Sequence, residues 1–283
     1  MGVFDGVHLG HGRILKETVK MAQTVGADSI VVTFYPHPQN EESLYSLEHR
    51  LKLIAEYGIK TCVVLKFTPH FSKMHAEDFI KDILADKLKA KFILVGRNFR
   101  FGADASGDLT ALNKIARDYG ISVKGFDIVK IRRKAISSTL IRSMIKKGIL
   151  NDASRMLGRP VTVLGTVIKG SSVARRLGYP TANIDPHHEV IPPAGIYAVN
   201  VLFNGRRFKG VCYIGTKPTF SHINKMVHIE VHILNFAKNI YGQLLDIQFI
   251  KLIRPDEKFK SPQLLAAAIR KDILRAKHIL SSC

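Results

Sequence analysis

Residues 2–11 read GVFDGVHLGH, a run in which three glycines are interspersed with an acid and two imidazoles at the start of a helical pattern. Gly2, Gly6 and Gly10 let the backbone turn sharply and pass close to a ligand. His8 and His11 are three residues apart, so a helix starting here puts both rings on one side of its first turn. Helix starts attract phosphate through free N–H groups and the macrodipole. A histidine there can donate a hydrogen bond to oxygens whose negative charge grows during transfer. An isolated H-x-x-H pair is more often structural. The decision therefore rests on the strands and loops downstream of it.

Those strands alternate with helices in a regular way. Ser29 to Phe34 (SIVVTF), Thr61 to Phe67 (TCVVLKF) and Phe92 to Gly96 (FILVG) read as strands. Between them apolar residues recur at helical spacing, as from Ala76 to Leu88. Strands alternating with helices predict an α/β domain with a parallel sheet covered on both faces. Ligands of such sheets sit at the carboxyl ends of the strands. Near Leu157 the character changes. Val161 to Ile168, Gly195 to Phe203, Phe208 to Ile214, Met226 to Leu234 and Leu244 to Leu252 are β-rich runs broken by turn residues. They predict a small antiparallel barrel. A helical connection runs through Ile141 to Met156, and Ser261 and Pro262 open a closing helix that reaches about Leu280.

Composition narrows the class. No apolar stretch is long enough to span a membrane, and the N-terminal residues carry no secretory signal pattern. Cys62, Cys212 and Cys283 lie far apart without metal-ligand spacing. Unpaired thiols predict a cytoplasmic protein. The net charge of +20 suits either nucleic acid or phosphorylated small molecules. The basic residues are scattered, however, and no stripe of aromatic residues interleaved with basic ones is present, as a strand-face nucleic-acid reader requires. A solvated surface is the better reading, and neither a nucleic-acid nor a membrane partner is expected.

Three more loops punctuate the first half. They are TFYPHP at 33–38, VGRNFRFG at 95–102 and SSTLIR at 137–142, the last placing hydroxyls and a guanidinium at a helix start. Each alone is ordinary turn chemistry. In this order, with FDGVHLGH, they resemble the adenylyltransferase domain of the bacterial bifunctional riboflavin kinase/FMN adenylyltransferase (FAD synthetase) family. The resemblance implies a Rossmann-like nucleotidyltransferase domain over residues 1–157, in which FMN phosphate attacks the α-phosphorus of ATP. It implies that His8, His11 and Arg142 act on the phosphates. Gly2, Phe4, Asp5, Gly6, Ser138 and Thr139 would bind ATP, and Asn98, Phe99 and Arg100 would lie by the flavin. Members of the family carry a strand before the G-x-F-D-G turn. Met1 directly precedes Gly2 here, so the domain is expected to lack its first strand.

The second half has its own cluster. Thr181 and Asn183 in LGYPTAN offer hard oxygen ligands, although P-T-A-N reads equally well as a turn. Glu230 sits in an apolar run with His228 and His232 on its own strand face. A carboxylate there must be partnered or used. It is either a salt-bridged surface residue or a general base. LGYPTAN, IGTKPTF, IEVHILNF and NIYGQLLDIQFIKLIRPDEKF, in order, resemble the riboflavin kinase domain, a six-stranded barrel over residues 158–283. The resemblance implies that Glu230 takes the proton of the riboflavin 5′-hydroxyl. Gly165, Gly170, Pro180, Thr181 and Asn183 would bind ATP, with Thr181 and Asn183 on its Mg²⁺. Arg254 and Phe259 would border the flavin. Ser171 to Ala174 stand where the family pattern is glycine-rich and basic, and Tyr213 stands where it has Asn. A slower kinase is expected from these departures. The implied reactants are riboflavin, FMN and ATP, with Mg²⁺.

Overall fold

The computed structural model describes residues 1–38, 42–170, 174, 177–217 and 226–281. Residues 171–173, in the segment before LGYPTAN, and 218–220, in IGTKPTF, lie outside the described residues. The chain forms two compact units. One holds residues 1–43 and 47–138, the other residues 44–46 and 139–283.

In the first unit, helix α1 (Leu9–Thr24) comes after the glycine turn and leads to β1 (Ile30–Tyr35). Then come α2 (Leu47–Ala55), β2 (Thr61–Lys66) and α3, which starts over Ala76–Asp78 and continues in π-helical form over Phe79–Lys87. β3 (Phe92–Gly96), α4 (Leu109–Asp118) and β4 (Ser122–Phe126) complete the α/β alternation. A hairpin of β5 (Lys130–Ile131) and β6 (Lys134–Ala135) precedes α5 (Ser138–Lys146). β1 pairs with β2 and β3 with β4, both in parallel. The Met1 amine donates to Leu94 O (3.0 Å) and Gly2 N–H to Val32 O (3.1 Å), so the first two residues touch one strand of each ladder. A cavity of about 350 Å³ lined by Ile30, Val32, Phe92 and Leu94 continues from there. Phe34, Phe79, Ile80, Ile93, Val95, Phe101 and Leu112 make the core. Each such buried side chain stabilises the fold by roughly 1.5–3 kcal/mol.

The second unit takes α5 from Thr139 onward, then α6 (Leu150–Leu157) and the strands β7 (Val161–Ile168), β8 (Ala182–Asp185), β9 (Gly195–Phe203), β10 (Arg206–Lys217), β11 (Met226–Ile233) and β12 (Leu244–Pro255). They close into a barrel in the order β10-β11-β8-β7-β12-β9, with every pairing antiparallel. Val163, Val199, Val201, Val231, Ile247 and Phe249 are buried, the alternation that two-faced strands impose. Helix α7 (Pro262–Ser281) lays Ala276 and Leu280 against Ala198. β7 and β8 approach so closely that a Cβ at Gly165 would strike Ile184 and the Asp185 carbonyl.

Candidate active sites

The glycine turn of the first unit is wound tightly. Gly6 has φ +76°, and the non-glycine residues Phe4 (+54°) and Val7 (+39°) also lie in the left-handed region. For a β-branched valine that conformation is a strained one held by its surroundings. Phe4, Asp5 and Val7 are buried. His8 is the N-cap of α1, and its Nδ1 accepts from His11 N–H (3.3 Å). A neutral His8 therefore carries its proton on Nε2. The two imidazoles stack 3.7 Å apart and 13° from parallel, and Phe4 meets His11 edge-on at 5.2 Å. Gly10 fits closely under this stack, where a Cβ would lie 3.1 Å from the His8 ring. Ser138 Oγ donates to Asp5 O (2.9 Å), so the SSTLIR motif reaches the turn through a direct hydrogen bond. Thr139 and the buried Arg142 come next on α5 and belong to the second unit.

Asn98, Phe99 and Arg100 occupy the loop after β3. Phe99 stacks on Phe101 at 5.7 Å, and Arg100 pairs with Asp108, the N-cap of α4, at 3.4 Å. The Asp108 carboxyl is held below its ordinary range by the Ala111 N–H it accepts. Arg97, to which the sequence assigns no separate role, pairs with Asp127 at 2.9 Å. With Arg100 it lines a shallow cavity of about 340 Å³.

The barrel carries the second site. Thr181 Oγ donates to Glu230 Oε2 (2.9 Å), and His228 Nε2 lies 2.5 Å from Glu230 Oε1. Bare ring nitrogen and carboxylate oxygen would repel at that distance, so a proton lies between them. Both carboxylate oxygens are thus fixed, one from its own strand and one from the residue just before β8. His232 Nδ1 bonds Pro180 O (2.8 Å), which holds the P-T-A-N turn against β11. Glu230, Thr181, His228, Tyr213 and Phe259 line a cavity of about 790 Å³. A second cavity of about 440 Å³ holds Pro180, Asn183 and Tyr241, and Thr181 lines both. Volumes of this order suit small organic ligands. Tyr213 OH donates to Asp256 Oδ2 (3.3 Å). Burial and the Asp256 charge push the Tyr213 phenol up to about 12. Burial and Glu230 raise the Cys212 thiol as well.

Asn183 is buried, and its Oδ1 has no hydrogen-bond partner among the described residues. A buried carbonyl oxygen left so calls for a ligand. Gly170 packs on this amide so tightly that any Cβ would overlap it. Arg254 and Phe259 both line the large cavity, and Arg254 is anchored there by an acid. Its Nε and Nη2 grip Asp272 of α7 at 2.9–3.1 Å, and its guanidinium covers the Phe259 ring at 5.4 Å. It borders the large cavity by building the wall there. For His228 the sequence shows only a shared strand face with Glu230. That i, i+2 spacing is the signal from which their pairing can be read.

Comparisons with known proteins match this division. The sequence fits the FAD synthetase family over residues 1–140 and the riboflavin kinase family over residues 157–280. The protein named bifunctional riboflavin kinase/FMN adenylyltransferase in Buchnera aphidicola is 36% identical, over 96% of this chain and 90% of that one. Its namesake in Escherichia coli K12 is 34% identical, over 98% and 90%. A solved structure described as a macrolide-efflux protein from Streptococcus pneumoniae superposes with a TM-score of 0.84 at 26% identity, over 98% of this chain and 92% of that one. Among the described residues no helix is long and apolar enough to cross a membrane. With both family signatures in order and relatives aligned along nearly its whole length, the chain belongs to the bifunctional riboflavin kinase/FMN adenylyltransferase family.

Proposed function

We propose that this chain makes FMN from riboflavin in its barrel and FAD from FMN in its α/β unit, using ATP for both. One observation carries the first step: a carboxylate fixed at both oxygens lines the larger cavity and accepts from Thr181, which lines both cavities. Riboflavin fits the larger, more apolar cavity and ATP the smaller one. Glu230 takes the proton of the 5′-hydroxyl while that oxygen bonds the γ-phosphorus, and the bond to the β-phosphate oxygen breaks to release ADP. Asn183 Oδ1 and the Thr181 hydroxyl fit Mg²⁺. When bound, Mg²⁺ neutralises phosphate charge. Phe259 supplies a ring face for the flavin, and Arg254 keeps it in place.

In the second step an FMN phosphate oxygen attacks the α-phosphorus of ATP and pyrophosphate leaves. His8, with its proton on Nε2, and His11 stabilise the growing charge at the start of α1. Gly2, Phe4, Asp5 and Gly6 shape the turn that receives the nucleotide. Ser138 contributes a hydroxyl to the triphosphate, and Asn98, Phe99 and Arg100 border FMN. The protein contributes position and charge, which is most of what phosphorus transfer needs. A cytoplasmic enzyme acting on free riboflavin fits these reactions.

The test is direct. Purified protein incubated with riboflavin, ATP and Mg²⁺ should yield FMN and then FAD on flavin chromatography. FMN alone would leave only the kinase, and neither flavin would refute both assignments.

A further inference from the structure

Arg50 is the odd residue of the first unit's interior. It lies on α2, whose buried residues are His49, Arg50, Leu53 and Ile54, and it is 2% exposed. Arginine is almost never so buried unless it is paired. No carboxylate forms an ion pair with it within contact distance among the described residues. Its guanidinium donates instead to backbone carbonyls. Nη1 donates to Val3 O (2.6 Å) and Nη2 to Phe34 O (3.4 Å). Its Nε is buried with no hydrogen-bond partner among the described residues. Burial pulls the guanidinium below its ordinary pKa and the nearby Asp5 charge pushes it back up. It stays a cation throughout the physiological range.

The two carbonyls are not arbitrary. Val3 is the last residue before Phe4, where the strained turn begins, and Phe34 is the last but one of β1, just ahead of the Pro36-His37-Pro38 segment. Thr33 Oγ also donates to Val3 O (2.9 Å), and Gly2 N–H to Val32 O (3.1 Å). The side chain from α2 therefore ties together the roots of two loops, the glycine turn and the segment at the carboxyl end of β1. A core that needed only volume would be served by Met or Leu, without the cost of a desolvated charge. A flat fork with several donors is what can bridge two carbonyls from different segments at once.

We propose that Arg50 is a positioning residue for adenylyl transfer. Its guanidinium clamps the Gly2–Val7 turn to the end of β1 and so sets where His8 and His11 meet the nucleotide. The proposal rests on the assignment of FAD formation to this unit. It concerns a residue that touches neither substrate, and it acts through the carbonyls of Val3 and Phe34.

The experiment compares wild-type, Arg50→Met and Arg50→Lys full-length protein for FAD formation from supplied FMN and ATP. Riboflavin phosphorylation by the same preparations is the internal control, and thermal melting reports folding. Arg50→Met should lower kcat for FAD formation by about 10- to 100-fold, the effect of a small misplacement of catalytic groups. KM for FMN and the kinase rate should each stay within about twofold. Arg50→Lys keeps a cation but can reach only one carbonyl well, so it should recover part of kcat. An Arg50→Met enzyme that melts normally and keeps wild-type kcat overturns the proposal. So does a loss that merely tracks the fraction of folded protein. If Arg50→Met does not fold, Arg50→Lys decides: lowered kcat at normal melting supports the clamp, and wild-type kcat overturns it. Wild-type protein that makes no FAD from FMN would instead refute the assignment of the unit.

Discussion

Asn183 stands directly opposite Glu230 across the β8–β11 ladder. Thr181, one residue before β8 begins, hydrogen-bonds the same carboxylate. Opposed residues on antiparallel strands lie within about 5.5 Å at their Cα atoms. An amide oxygen, a hydroxyl and a carboxylate are thus gathered by one strand pairing and the turn that leads into it. Barrel strands are stiff, so the arrangement is preorganised.

Glu230→Gln keeps the shape but removes the proposed proton acceptor. FMN formation should fall by at least about 100-fold, while FAD formation from supplied FMN continues. Flavin chromatography of the two half-reactions reads this directly. A near wild-type FMN rate would remove Glu230 from the role of base.

His228→Leu should leave Glu230 in place but remove one of the groups that orient it. The kinase kcat is expected to drop about tenfold with KM for riboflavin little changed. His228→Gln, which retains an N–H donor, should recover much of the loss. A change in KM alone would mean that His228 contacts substrate and does not orient the base.

Gly170→Ala places a methyl group on the Asn183 amide. Because that amide is buried against β11, it has to turn away. KM for ATP in the kinase reaction should rise roughly tenfold, with the adenylyltransferase reaction untouched. Steady-state kinetics at varied ATP would show it.

Asp272 is 3% exposed and receives the Arg254 fork. Asp272→Leu leaves that cation without its main partner and should cost about 3–5 kcal/mol. Riboflavin binding should weaken too, since Phe259 loses the guanidinium that covers it. Denaturant melts of Asp272→Leu, Arg254→Leu and the double variant test the coupling. Additive losses would show that the pair does not act as one unit.

His11→Ala removes half of the imidazole stack. FAD formation should fall about 100-fold while riboflavin phosphorylation holds. Equal loss of both activities would signal misfolding instead of lost catalysis.

Sequence by itself determined the element types. The alternation up to Gly96 and the five β-rich runs after Gly158 correspond to observed strands, with β7 and β9 matching residue for residue. Period and turn residues are local, so they can be read locally. The motifs were legible for the same reason, since each is a short run at a strand or helix end. β4 and β8 were not legible. Ser122–Phe126 and Ala182–Asp185 are short, and the second hides in a P-T-A-N turn signal. Only pairing with β3, and with β7 and β11, makes them strands. The tertiary structure likewise decided which polar groups meet. Arg254 turned to Asp272, Arg50 sank beneath two loops, and Asn183 kept an orphan oxygen among the described residues. Hydrogen bonds between residues far apart in sequence depend on where the backbone brings them, and no spacing along the chain encodes that.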